Sequence, residues 1–280
     1  KYLQMTPIQA QSLPHIVEGR DVIGQAKTGS GKTAAFGLGL LNRLNVKQFR
    51  VQSLIICPTR ELADQVAKEI RSLARRIHNI KVLTLCGGTA FGPQKGSLQH
   101  GAHIVVGTPG RIEEHLRKKN LDLNHLTTFI LDEADRMLDM GFQPIIDEIC
   151  KFLPAKRQTL LFSATFPGDI ERLSKRLMKR PVRVEVDSEH DMTSIRQILY
   201  EIPDKGARST ALLAVLQRHQ PVSALVFCQT KVLTEEIAAV LRDQGYMALA
   251  INGDLDQKDR ESRLVQFTNK SLTVLVATDV

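Results

Sequence analysis

Along the chain, short unbroken apolar runs alternate with stretches in which apolar residues recur every three or four positions. The runs read as strands: "RDVIGQ", "VQSLIICP", "KVLTLCGG", "AHIVVGTP", "LTTFILDE" and "RQTLLFSAT". The stretches between them read as amphipathic helices. One places Ala35, Phe36, Leu38, Leu41 and Leu44 toward a core, and another does the same with Leu62, Val66, Ile70, Leu73 and Ile77. Strands without a polar side have no face to show to water, so the pattern predicts an α/β fold whose parallel sheet is covered by helices on both faces. Near Val186 the pattern lapses into "VDSEHDMTS", polar and without period, which reads as a linker. The alternation resumes with "SALVFCQT", "YMALAING" and "SLTVLVATDV" as strands, and "KVLTEEIAAVLRDQG" and "DQKDRESRLVQFTNK" as helices. The expected organisation is a first domain over 1–186, a linker over 187–195, and a second domain over 196–280 whose sheet is incomplete, as in a piece of a longer protein.

A length of 280 residues suits one large or two ordinary domains, and 42% hydrophobic with 24% charged residues is a globular mix. Trp is absent, so the cores must be built from Leu, Ile, Val and Ala. No apolar run is long enough to cross a bilayer, and no basic-then-apolar leader precedes a small-residue cleavage site. The cysteines (Cys57, Cys86, Cys150, Cys228) are far apart with no C-x-x-C pair, which favours free thiols in a reducing compartment over zinc or disulfides. A cytoplasmic location is expected. The formal net charge of +8 favours a polyanionic partner such as nucleic acid or an acidic membrane.

The chemistry is concentrated in "QAKTGSGKT", Gln25 to Thr33, which follows a strand and opens a helix. Gly29 and Gly31 permit backbone angles that let successive N–H groups curl around phosphate oxygens, aided by the positive end of the helix. Lys32 is placed to reach the β- and γ-phosphates, and the Thr33 hydroxyl to ligate Mg²⁺. Such a loop calls for an acid at the end of another strand, and "FILDEAD" supplies Asp132 at the carboxyl end of an apolar run. Glu133 follows and is suited to polarising an attacking water.

The sequence resembles the DEAD-box RNA helicases. "DEAD" at Asp132–Asp135 is that family's name-giving motif, and the other motifs occur in order. They are "TPIQ" (Thr6–Gln9), "AKTGSGKT", "PTRELA" (Pro58–Ala63), "GG" (Gly87–Gly88), "TPGR" (Thr108–Arg111), "SAT" (Ser163–Thr165), "VFCQT" (Val226–Thr230), "GDLDQKDR" (Gly253–Arg260) and "ATD" (Ala277–Asp279). The family's own form of the phosphate loop carries alanine at its first position, as Ala26 does here. The resemblance spans essentially the whole chain. It implies two RecA-like (P-loop NTPase) parallel-sheet domains, the second truncated, that close over ATP, Mg²⁺ and RNA.

The resemblance also implies roles residue by residue. Gln9 would read the adenine edge, and Ala26, Lys27, Thr28, Gly29, Ser30, Gly31, Lys32 and Thr33 would cradle the nucleotide. Thr33 and Asp132 would hold the metal, and Lys32, Asp132 and Glu133 would carry catalysis. Pro58, Thr59, Arg60, Glu61, Gly88, Thr108, Pro109, Gly110 and Arg111 would hold RNA in the first domain, and Thr230, Gly253 and Thr278 in the second. Thr59 and Thr108 fit equally well as ordinary helix N-caps. Ser163 and Thr165 resemble the family's coupling element, bonding Asp135 when the domains close. No motif reads base edges, so binding at the core is expected to be independent of sequence. A narrower likeness, carried by "CPTRELADQVA", "TLCGGTAFGPQ" and "DEADRMLDMGF", points to bacterial members that act on ribosomal RNA during large-subunit assembly. A monomer is expected. The adenine-stacking aromatic and the arginine finger segments of the family are not in the sequence, so this span is expected to bind nucleotide better than it hydrolyses it. An ATP-gated RNA clamp and a DNA translocase of the same superfamily remain open as alternatives.

Overall fold

The computed structural model describes residues 4–186 and 196–278. The linker expected over 187–195 lies outside the described residues, as does Asp279. The described residues fall into two compact units, divided within that segment.

The first unit runs α1 (Pro7–Val17), β1 (Val22–Gln25), α2 (Lys32–Arg43), β2 (Ser53–Ile56), α3 (Arg60–Leu73), β3 (Val82–Leu85), α4 (Phe91–Gln99), β4 (Ile104–Gly107), α5 (Pro109–Arg117), β5 (Thr128–Leu131), α6 (Ala134–Asp139), α7 (Gln143–Cys150), β6 (Gln158–Ser163), α8 (Gly168–Leu177) and β7 (Val182–Glu185). Its seven strands lie in the order β3-β4-β2-β5-β6-β1-β7, and every pairing is parallel. The central strands β4, β2, β5 and β6 are buried on both sides. Ile55 joins one core with Phe36, Ile70 and Phe162, while its neighbours Leu54 and Ile56 join the other with Ile112, Ile146 and Leu161. Gly24 is required by this packing, because a Cβ there would stand 2.4 Å from the Phe162 ring.

Two expected core positions are at the surface instead. Leu38 is 42% exposed because it stands two residues from both Phe36 and Leu40, about 200° round the helix from the side that faces the sheet. Ile77 lies beyond the end of α3 and is 38% exposed. Strand β7 was not in the strand pattern above. It pairs at the edge with β1, and its polar side sends Arg183 to Glu185 at 3.2 Å.

The second unit runs α9 (Arg208–His219), β8 (Ala224–Cys228), α10 (Lys231–Asp243), β9 (Ala248–Ile251), α11 (Gln257–Thr268) and β10 (Val274–Thr278). Its sheet is parallel, in the order β8-β10-β9. Ile237, Ala238 and Leu241 of α10 pack on Ala248, Ala250, Val274 and Val276. On β8, Leu225 and Phe227 alternate out of this core and are 53% and 68% exposed. Among the described residues, no helix is long and apolar enough to cross a membrane.

Candidate functional site

Because all strands of the first unit point one way, their carboxyl ends share one rim, with Ile56 level with Leu131 and Gln25 with Ser163. The segment 26–31 leaves β1 at this rim and turns into α2. The turn uses left-handed backbone at Gly29 (φ 84°) and Gly31 (φ 94°), a conformation that side chains disfavour. Gly31 has a second constraint, since a Cβ would stand 2.4 Å from Gln9 Nε2. Ala26 has no such demand. It is buried, its N–H donates to Ser163 O at 3.0 Å, and its carbonyl accepts from Lys32 Nζ at 2.9 Å. The buried Lys32 ammonium therefore folds back over its own loop, with further N–H groups in reserve.

Gln9 braces the loop from below. Its Nε2 donates to Gly31 O at 3.1 Å and its Oε1 accepts from Thr6 N at 3.0 Å, one half of a capping box at the start of α1. One amide N–H and one lone pair remain, which is what an adenine edge requires. Thr6 Oγ1 and Ser30 Oγ are buried and find no hydrogen-bond partner among the described residues.

Asp132 and Glu133 follow β5, one strand removed from β1 across β6. Asp132 is buried, its N–H donates to Ile56 O, and its Oδ1 accepts from Glu133 N at 3.1 Å. Burial pushes the Asp132 carboxyl up to about 6, against an opposing pull from Lys32 and a further push from Glu133. Glu133 adopts a left-handed φ of 52°, a strained choice for a residue with a side chain. Its carboxylate accepts from Thr28 Oγ1 at 3.1 Å and faces Arg136 at 3.5 Å. The strained turn thus joins the acidic strand end directly to the phosphate loop.

These groups fit a magnesium-bound nucleotide. The glycine turn leaves open space, since a Cβ at Gly29 would meet nothing within 4 Å. Among the described residues no cluster of three or more His, Cys, Asp or Glu could cage a metal alone. Mg²⁺ is ordinarily held by one or two carboxylates together with phosphate oxygens, and a single buried carboxyl at this rim suits that division. Thr33 and Asp132 would supply the protein's share.

Asp135 begins the neighbouring network. Its Oδ2 accepts from both Thr165 N and Thr165 Oγ1 at 2.8 Å, and its N–H donates to Ser163 Oγ at 3.3 Å. Burial raises this carboxyl, but the hydrogen bonds from Thr165 and Ser163 outweigh it and hold it below the usual range. All these bonds lie within the first unit, so they need nothing from the second.

The remaining motif residues line the same rim. Pro58 and Thr59 lead into α3, and Thr59 Oγ1 accepts from Leu62 N at 3.3 Å as a true N-cap. Glu61 stands in the first turn of that helix. Thr108 caps nothing with its side chain; its Oγ1 accepts from Gly87 N at 3.4 Å, tying the start of α5 to the glycine loop. Pro109 and Gly110 open α5, and the space around Gly110 is open. Gly88 is left-handed (φ 68°) and lies under Arg60, whose guanidinium would stand 1.9 Å from an added Cβ. Arg60 Nη1 is buried with no hydrogen-bond partner among the described residues, a charged donor available to an anion. Arg111 donates from Nη1 and Nη2 to Thr89 O, each at 3.1 Å.

Sequence reasoning missed what holds α4 in place. That helix has no fully buried residue. Phe91 stacks on His115 of α5 with ring centroids 4.3 Å apart, and Gln94 accepts from His115 Nε2 at 3.2 Å while donating to Cys86 O at 2.9 Å. Burial depresses the His115 imidazole below its ordinary value, and Arg111 adds to this. The signal was a histidine on an apolar helix face with Ile112 and Leu116.

In the second unit, Thr230, Gly253 and Thr278 share the carboxyl rim of the sheet. Thr230 Oγ1 caps α10 by accepting from Leu233 N at 3.2 Å. Gly253 follows β9 and its carbonyl accepts from Arg260 Nη2 at 2.8 Å. Thr278 ends β10 level with Cys228.

Comparison with known proteins agrees with this arrangement. The chain is 53% identical over 279 residues to ATP-dependent RNA helicase DbpA of Escherichia coli (strain K12), covering all of this chain and 61% of that protein. It is 44% identical to ATP-dependent RNA helicase CshA of Listeria monocytogenes, covering 99% of this chain and 53% of that protein. It thus spans between half and two thirds of the length of these curated relatives. Among solved structures, a DEAD box protein from Methanococcus jannaschii matches with TM-score 0.62 and 40% identity, over 98% of this chain and 74% of that one. Saccharomyces cerevisiae Dbp5 bound to RNA and ADP BeF3 matches with TM-score 0.87 and 27% identity, over 99% of this chain and 71% of that one. The two units have the RecA-like fold of these helicases. A family model for the helicase conserved C-terminal domain matches residues 207–280, and one for DEAD/DEAH box helicases matches residues 6–173. By these matches the chain belongs to the DEAD/DEAH box helicase family.

Proposed function

We propose that this chain is the core of an ATP-dependent RNA helicase, in which two RecA-like domains, 1–186 and 196–280, close over ATP, Mg²⁺ and RNA. The observation that carries the reading is the bond from Thr28 in the phosphate loop to Glu133 at the acidic strand end, which gathers Lys32, Thr33, Asp132 and Glu133 at one rim. The names of the relatives support it.

A magnesium-bound triphosphate supplies the scissile phosphoanhydride. Lys32 would neutralise its terminal oxygens, and the loop N–H groups would cradle them. Glu133 would orient a water and accept its proton as the water oxygen bonds to the γ-phosphorus, releasing ADP and phosphate. Gln9 would report adenine to the loop, since the amide that bonds Gly31 O has a donor and an acceptor to spare. Thr59, Arg60, Gly88, Thr108 and Arg111 would hold an RNA strand through its backbone, aided by two helix N-termini. Closure requires ATP and RNA to bind the closed arrangement more tightly than the open one. Ribosomal RNA is the proposed target, in a cytoplasmic, monomeric protein.

Strand displacement by the full-length protein, with and without Glu133→Gln, tests this. The wild type should show RNA-stimulated ATP hydrolysis and displace a short duplex, while Glu133→Gln should bind both ligands and stall. A variant that keeps its biological role without turnover would favour an RNA clamp. Equal stimulation by single-stranded DNA would favour a DNA translocase.

A further inference from the structure

The opposite rim of the first sheet carries a strong charge asymmetry that the nucleotide site does not use. The loops entering the strands (18–21, 44–52, 77–81, 100–103, 118–127, 151–157 and 178–181) hold eleven Lys and Arg against three acids. The loops leaving them (26–31, 57–59, 86–90, 132–133 and 164–167) hold one cation and two acids. Cations at helix C-termini ordinarily complement the helix dipole, and Arg43 in the last turn of α2 does so. That account does not reach Lys156 or Arg180, which lie past the ends of α7 and α8.

Three of these loops are stapled into one surface. Arg157 Nη2 donates to Leu177 O at 3.2 Å, Lys179 Nζ to Ala155 O at 3.2 Å, and Gln158 Nε2 to Arg20 O at 2.7 Å. Arg43 lies against Gly19 in the third loop. The three loops hold two acids: Glu18 is exposed, and Asp21 is buried with its carboxylate occupied by Thr159 N and Lys179 N, each at 2.7 Å. Among the described residues, Lys156 and Arg180 make no ion pair and are exposed. Phe152, in the same loop as Lys156, is 46% exposed.

We propose that this amino-end rim is a second RNA-binding surface. It holds the phosphate backbone of an RNA segment other than the strand at the carboxyl rim, and it needs no nucleotide. Lys118 and Lys151 pair with Glu114 and Glu148, while Lys156 and Arg180 make no ion pair among the described residues; clustered cations on a surface that also exposes an aromatic ring suit a polyanion that offers bases for stacking. Membrane adsorption calls instead for a helix with a broad apolar face, and this rim is made of loops. The proposal rests on the preceding functional reading only for the identity of the polyanion.

The test is fluorescence anisotropy of a labelled RNA hairpin across a salt series, with and without an ATP analogue. Arg20→Ala/Lys156→Ala/Arg180→Ala is compared with Lys68→Ala/Arg172→Ala/Lys175→Ala, which removes equal charge from helices α3 and α8. The first variant should lose about tenfold or more in nucleotide-free affinity at low salt, and its log–log salt slope should fall by about 2–3. Its ATP-dependent gain in affinity should persist, and the control should match the wild type. Lys156→Glu alone should weaken nucleotide-free binding in the same direction. Equal losses in the two triple variants, or none in the first, would overturn the proposal. So would binding that is strong to phosphatidylglycerol vesicles and weak to the hairpin. A wild type with no ATP-dependent gain would refute the helicase reading and leave this surface standing.

Discussion

Phe162 is next to last in β6 and fully buried; Phe227 is next to last in β8 and 68% exposed. Both strands are apolar, parallel and followed by a motif. In the first unit the ring lies between Gly24 and Phe36, 5.3 Å from the latter, within a sheet layered on both faces. In the second unit, α10 covers one face of the sheet and Leu225 and Phe227 point out of the other. The comparison teaches that an apolar strand announces a need for burial on both sides, and that only a second layer satisfies it. It also separates the two rims: the first carries buried charge, Lys32 and Asp132, which a three-stranded sheet open on one face could not shield.

The strongest way to break the comparison is to truncate both rings. Phe162→Ala should cost about 3–5 kcal/mol, whereas Phe227→Ser should stay within about 0.5 kcal/mol, measured by chemical denaturation of this chain. A large loss at Phe227 would mean that its face is covered. The next effect is electrostatic. Between about pH 4 and about 6 the folded chain keeps a proton on Asp132 that the unfolded chain has released, so this group makes stability fall as pH rises through that window. Asp132→Asn should therefore stabilise the metal-free protein by on the order of 2–3 kcal/mol at pH 7.5, with the gain vanishing near pH 4. A gain independent of pH would contradict the assignment. The smallest effect sharpens the likeness between the units. Thr59 and Thr230 cap their helices with the same geometry, so Thr→Ala at each should cost about 1 kcal/mol and Thr→Ser should restore it. Loss of RNA affinity in the Ser variants, at unchanged stability, would show a requirement for the threonine methyl beyond the cap.

The strands other than β7, most helices and the rim on which the motifs gather were legible, because continuous apolar runs, glycine punctuation and strand-end acids are local signals. What escaped was decided by distant partners. Leu38 shares the apolar character of its neighbours, and only its direction relative to the sheet puts it in water. Gln9 reads as an adenine contact, yet much of its amide serves two backbone groups, one of them 22 residues away. The Asp135–Thr165 bonds were expected to await domain closure and are satisfied within one unit. His115 belongs to no motif, and its bond to Gln94 connects α4 to α5 across 21 residues of sequence.

Nucleotide binding at this rim centres on Lys32, whose buried ammonium bonds only to Ala26 O among the described residues. Calorimetric titration of the chain with ATP and Mg²⁺, against Lys32→Ala, tests it most directly. Losing a charge-assisted bond to phosphate should weaken binding by about 10- to 100-fold while the thermal transition stays cooperative. Equal uptake by the two proteins, or no uptake by the wild type, would contradict it.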